Sequence, residues 1–223
     1  MHIGKGRIDE ILTGGQRSAL ISCPPGLVPA PGRYLLAHAD ADSTAPLPHP
    51  VFSAGAAPSG FYAAPPTPAS WLPGTTLCLQ GPFGRGFNLP PVARRVVLVA
   101  LADTFSRLWP LLELSFTQNA EVAILAESIP ENLSPAVEIL PLSALSEAAA
   151  WADYLALGLP RSQLGRYLEK HRPSLLSASM AELFIETPLP CGSLAECGVC
   201  SIPLRHGYAL ACKDGPVFPL SEL

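Results

Sequence analysis

The stretch Cys191-Gly-Ser-Leu-Ala-Glu-Cys197-Gly-Val-Cys200, with Cys212-Lys-Asp-Gly-Pro-Val-Phe218 close behind it, decides how the rest of the chain is read. Four of the six cysteines fall within 22 positions, as C-x5-C-x2-C with a fourth after eleven intervening residues. That is close to the C-x4-C-x2-C…C spacing of two-iron, two-sulfide sites, in which three thiolates share one tight loop and the fourth comes from a separate turn. Gly192 and Gly198 suit such a loop, because glycine tolerates positive φ and lets backbone N–H groups approach sulfur. Two other readings remain open at this point. Four clustered cysteines also hold structural zinc, although zinc sites more often show two C-x-x-C pairs. They could form two disulfides, but nothing in the chain suggests export.

Together with Ala211-Cys-Lys-Asp-Gly-Pro-Val-Phe218, this run resembles the C-terminal cluster domain of the dihydroorotate dehydrogenase electron transfer subunit, a family of the ferredoxin-NADP reductase superfamily. The family pattern is C-G-x-G-x-C-x-x-C, a hairpin, then C-K-D-G-P-V-F. This chain has one extra residue between Cys191 and Cys197, and Leu194 and Ala195 stand where the second glycine is wanted. The resemblance implies three parts: a six-stranded antiparallel β-barrel of flavin-binding type over 1–90, a small parallel α/β domain of nucleotide-binding type over 91–185, and a cluster-binding segment over 186–223. It further implies a [2Fe-2S] cluster on Cys191, Cys197, Cys200 and Cys212. A catalytic flavoprotein subunit such as dihydroorotate dehydrogenase would be the partner, in a hetero-oligomer.

Composition narrows the function classes. Charged residues make up 14% of the 223 and the net charge is -4, so there is no basic surface for nucleic acid and no cationic run for an anionic membrane. Sparse charge, 26 prolines and a mean hydropathy of +0.30 suggest an apolar surface that a partner subunit covers. The N-terminal residues lack the apolar core of a signal peptide, and no run reaches the roughly 18 apolar residues of a membrane span. A cytoplasmic setting is expected, where thiols stay reduced and serve ligation. Cys23 and Cys78 lie far from the cluster and read as structural. No Ser/His/Asp set, paired acids or phosphate loop supports independent catalysis.

The first ninety residues carry short β-like runs at Arg7 to Leu12, Ala19 to Cys23, Tyr34 to His38, Val51 to Ala54, Gly60 to Ala64 and Thr76 to Leu79. Turn residues separate them at Gly14-Gly15, Pro24 to Gly26, Pro31-Gly32, Pro46 to Pro50, Pro65-Pro66 and Pro73-Gly74. That punctuation argues for a small antiparallel barrel. Gly81-Pro-Phe-Gly84-Arg-Gly-Phe87 resembles the family's exit from the barrel. The family's flavin motif, R-P-x-S, has its counterpart in His49-Pro50-Val51-Phe52-Ser53, where a histidine replaces the arginine and Ser53 lies one place late. His49 cannot grip a phosphate bidentately. The resemblance makes His49, Pro50, Ser53, Gly81 and Gly84 the candidate flavin contacts, and leaves retention of FAD open.

In the second half, Arg94 to Leu101 reads as a buried parallel strand and Thr104 to Phe116 as a helix. Strands at Glu121 to Ala126, Ala136 to Leu140 and Ala152 to Leu157, with helices at Ser143 to Ala150 and Arg161 to His171, complete a β/α alternation. A dinucleotide site needs glycines in the turn after the first strand. Aligned on Pro110-Leu111-Leu112, the family's G-G-G-x-G run falls on Asp103-Thr-Phe-Ser-Arg107, and no glycine survives. Asp103 is placed to N-cap the helix and to repel a phosphate there, so NAD(H) is expected not to bind. Gly158 and Pro160 match a later family landmark that here lacks its cysteine.

Overall fold

The computed structural model describes residues 2–13, 16–39, 47–129 and 133–223. The expected turn at Gly14-Gly15 and the residue Pro46 lie outside these. Six strands, β1 (His2–Leu12), β2 (Ser18–Ser22), β3 (Tyr34–Ala39), β4 (His49–Ala57), β5 (Gly60–Ala63) and β6 (Thr76–Phe83), close into an antiparallel barrel in the order β1-β2-β5-β4-β3-β6. Side chains alternate across each strand, so Leu77 and Leu79 of β6 point inward to Ile8, Ile21, Leu35, Val51, Phe61 and Trp71. Cys78, between them, is exposed, and is therefore no part of the barrel interior, whereas Cys23 packs against the barrel core. His49 and Pro50, expected in a turn, begin β4, with Pro50 opposite Leu36 of β3.

Beyond the barrel, β7 (Arg95–Ala100), α1 (Phe105–Thr117), β8 (Glu121–Ala126), β9 (Val137–Leu140), α2 (Leu145–Trp151), β10 (Tyr154–Pro160), α3 (Arg161–Leu175) and β11 (Ala181–Glu186) follow in order. Strands β9-β8-β7-β10-β11 are parallel, and β7 is buried on both faces: Val97 and Val99 face one core, Val96, Leu98 and Ala100 the other with α1. A hairpin, β12 (Ser201–Pro203) with β13 (Tyr208–Leu210), links Cys200 to Cys212. The last strand, β14 (Val217–Pro219), adds antiparallel to β11, so the cysteine segment is woven into the sheet.

The expected N-cap does not form. Thr104 holds that position, its hydroxyl donating to the Leu101 carbonyl at 2.8 Å, and no side chain caps α1. The Asp103 carboxylate accepts from Gln16 of the barrel at 2.7 Å instead. Gly158 has a packing reason: a Cβ there would overlap the Thr104 side chain. Among the described residues no helix is long and apolar enough to cross a membrane.

Candidate iron-sulfur site and the crevice beside it

The four clustered cysteines come together as two pairs. Cys191 and Cys197 lie near the surface with their sulfurs 3.4 Å apart. Cys200 and Cys212 are each 1% exposed and stand together at the base of the β12–β13 hairpin. The loop that carries the first three is built as the sequence anticipated: Gly192 and Gly198 take φ of +51° and +75°, and Ser193 between them takes +70°. A short turn, Leu194 N–H to Cys191 carbonyl at 2.8 Å, folds the outer cysteine back over the loop. The hairpin then returns Cys212 beside Cys200, with the Ala211 N–H donating to the Cys200 carbonyl at 3.0 Å.

The two pairs differ electrostatically. Burial works against the Cys191 thiolate, but a hydrogen bond with Cys197 and backbone groups of Ala195, Cys197 and Ser193 outweigh it and bring the pKa down to about 7. Burial, then the neighbouring Cys200 and Cys191, push the Cys212 thiol up to about 12. Tyr34, missed by sequence reasoning, lies under this pair: its hydroxyl donates to the Cys212 carbonyl at 2.8 Å, and burial with the nearby thiols holds the phenol well above its ordinary pKa. Among the described residues no three His, Cys, Asp or Glu side chains converge tightly enough for a single ion.

The candidate flavin residues are engaged locally. His49 stands edge-on to Trp71 at 5.5 Å, and burial lowers its pKa from the ordinary imidazole value. The Ser53 hydroxyl donates to the Gly55 carbonyl at 3.2 Å and accepts from the Gly55 N–H at 3.1 Å, on its own strand. Gly81 packs against Leu35, and a Cβ at Gly84 would overlap the Gly215 carbonyl. A cleft of about 370 Å³ between barrel and α1 includes none of the five; Asp103, Ser106 and Trp109 line it, with Ala54 and Pro65 opposite. Beside it Arg107, 7% exposed, lies 5.0 Å over the Phe52 ring and 3.6 Å from the Glu186 carboxylate. Burial, partly offset by Glu186, lowers its pKa to about 10, so it stays charged at neutral pH.

Comparison with known proteins bears on both regions. Residues 191–223 match the iron-sulfur cluster binding domain of dihydroorotate dehydrogenase B. The whole chain superposes on the structure of an NADH-dependent reduced ferredoxin-NADP oxidoreductase with a TM-score of 0.74 at 15% identity, covering 97% of this chain and 88% of that one. A ferredoxin reductase of carbazole 1,9a-dioxygenase gives 0.60 at 16% identity over 78% of this chain and 65% of its own. A cytochrome P450 reductase from Amycolatopsis gives 0.61 at 12% over 82% and 71%. The fold is the one these reductase structures share. Both halves of the resemblance read from the sequence, cluster segment and fold, are upheld.

Proposed function

We propose that this chain is an electron-transfer subunit. Cys191, Cys197, Cys200 and Cys212 hold a [2Fe-2S] cluster, and electrons pass to or from the flavin of a partner oxidoreductase similar to dihydroorotate dehydrogenase, in a hetero-oligomer. The observation that carries this reading is the pairing of the four thiols, Cys191 with Cys197 and Cys200 with Cys212, on a segment matching a cluster-binding family. When bound, such a cluster supplies one-electron chemistry that no side chain of the protein offers.

The protein's own contribution is position and surroundings. Burial of Cys200 and Cys212 among Ile202, Ala211, Val217 and Phe218 keeps water from the inner side of the site. The outer side is open, with Cys197 exposed and Leu194 and Val199 exposed at 59% and 46% on the same loop, which gives a partner a short approach and an apolar contact. Glu196 and Lys213, of opposite charge, are both exposed at the rim, where solvent screens their effect on the centre. The test is metal analysis of anaerobically purified protein, with acid-labile sulfide and an electron paramagnetic resonance spectrum of the reduced sample. About two irons and two sulfides per chain are expected. One zinc per chain without sulfide would replace this reading with a non-redox scaffold subunit.

A further inference from the structure

In open α/β sheets a nucleotide ligand lies in the crevice where the strand order reverses, here at β7 and β10, and the stretch resembling the family's flavin motif falls on β4, which packs against α1. Here part of that crevice is taken up by the chain's own side chains. From the barrel side Phe52 projects from β4, packed against Tyr34 at 5.5 Å and Phe184 at 5.3 Å. From the other side comes Arg107, at the position of the last glycine in the family's run. Its side chain, three methylenes and a guanidinium, lies over Phe52 and reaches Glu186 at the end of β11. Nε has no hydrogen-bond partner. Ion pairing with Glu186 and the Phe52 face offset part of the cost of burying this cation.

Two residues on, Trp109 closes the neighbouring stretch. Gly55 of β4 has φ +143°, and a Cβ there would come within 3.1 Å of the Trp109 ring and 2.8 Å of Glu113 Oε1. Glu113 clamps the strand: Oε2 accepts from the Ala56 N–H at 3.0 Å, and Oε1 accepts from Trp109 Nε1 at 3.2 Å. Helix α1 therefore packs directly on β4 at Gly55 and Ala56, and the space left between barrel and helix lies beside Ala54. The remaining cleft, about 370 Å³, is near the floor of the roughly 300–1,000 Å³ range of ligand pockets and has no lysine or arginine among its lining residues, while the Asp103 carboxylate is one of them. A dinucleotide diphosphate would find no countercharge among the residues that line it.

We infer that the flavin seat of this fold is closed in this chain, with Arg107 seated on Phe52 as the plug and Trp109 and Glu113 locking α1 onto β4. The subunit then binds no FAD, and the flavin of the proposed electron path belongs wholly to the partner. The closure rests on packing alone and holds whether or not the cysteines carry iron.

The experiment uses the full chain. Purified protein is incubated with excess FAD, desalted and acid-denatured, and the released flavin is quantified by fluorescence. FAD affinity is measured separately by quenching of tryptophan emission, since Trp109 lines the crevice. The wild type is expected to retain no flavin above a non-binding control protein. Arg107→Gly, with Arg107→Ala as the second variant, should raise FAD affinity about tenfold or more. One FAD per wild-type chain would overturn the inference. So would a variant with native circular dichroism that binds FAD no better than wild type. Flavin content is read independently of iron and sulfide, so failure here leaves the cluster assignment standing, and loss of the cluster leaves this one standing.

Discussion

Gly192 and Gly198 share a positive φ, yet the space around them differs. A Cβ at Gly192 would overlap the Leu36 side chain, which is 2% exposed on β3, whereas a Cβ at Gly198 would meet nothing within 4 Å. Gly198→Ala should therefore cost only the left-handed backbone penalty, about 1–2 kcal/mol. Gly192→Ala should cost that plus overpacking of about 1–3 kcal/mol, because the loop must lift off the barrel. Urea denaturation of the two variants checks the order. Adding Leu36→Ala to Gly192→Ala removes the overlapping methyls, so the double variant should be less destabilised than the sum of its parts. Additive costs would mean that Leu36 does not set the position of the cysteine loop. At the same scale Arg107 shows the limit of sequence reading: the missing glycine was visible in the chain, but that the arginine turns inward onto Phe52 was not, since a charged residue is normally solvated.

At the scale of elements, most strands of the barrel and sheet were legible because alternation and turn residues announce them. Glu121 to Ala126 matches β8 to the residue, and all three crossover helices fall where the sequence put them, α3 running on four residues past His171. What escaped were β11 and β14, for a physical reason. In Ala181–Glu186 the run is broken by Glu182, which is 0% exposed and reads as a surface residue; its Oε2 accepts from the Tyr154 hydroxyl at 2.6 Å and the Asn88 N–H at 2.8 Å, both distant in sequence, while its Oε1 has no hydrogen-bond partner. Strand β14 is three residues long and gains its place only by pairing with β11. The cysteine set was legible from spacing, whereas its support by β3 was not, because Tyr34 lies 178 residues from its partner Cys212. That support can be measured. Tyr34→Phe keeps the ring packing and removes the donor to the Cys212 carbonyl, so it should cost about 1–3 kcal/mol and loosen the inner cysteine pair. Faster loss of bound metal to a chelator than in the wild type, with an unchanged barrel by circular dichroism, is the expected signature; an unchanged rate would show that the hydrogen bond does not anchor Cys212.

For the whole molecule, the question is whether barrel, sheet and cysteine segment are independent bodies. A single buried cluster contains Tyr34, Leu36 and Phe52 of the barrel, Val97, Leu155 and Phe184 of the sheet, and Cys200, Cys212 and Phe218 of the last segment. Strand β14 binds that segment to β11, and the Arg107 plug with the Glu113 clamp binds α1 to β4. If each part unfolded alone it would expose its share of this common core to water, at about 25 cal/mol per Å² of apolar surface, with no compensating gain in the parts left folded. Unfolding should therefore be one cooperative transition, despite a chain length at which separate domains often melt separately. The three tryptophans allow a direct test. Trp71 is buried in the barrel core and Trp151 sits at the end of α2 against the sheet. In single-tryptophan variants that keep one or the other, urea midpoints should coincide with each other and with circular dichroism. If Trp71 reported a transition well before Trp151, the barrel would be able to leave the sheet, the Phe52–Arg107 contact would be free to open, and the seat between the halves would be closed only part of the time.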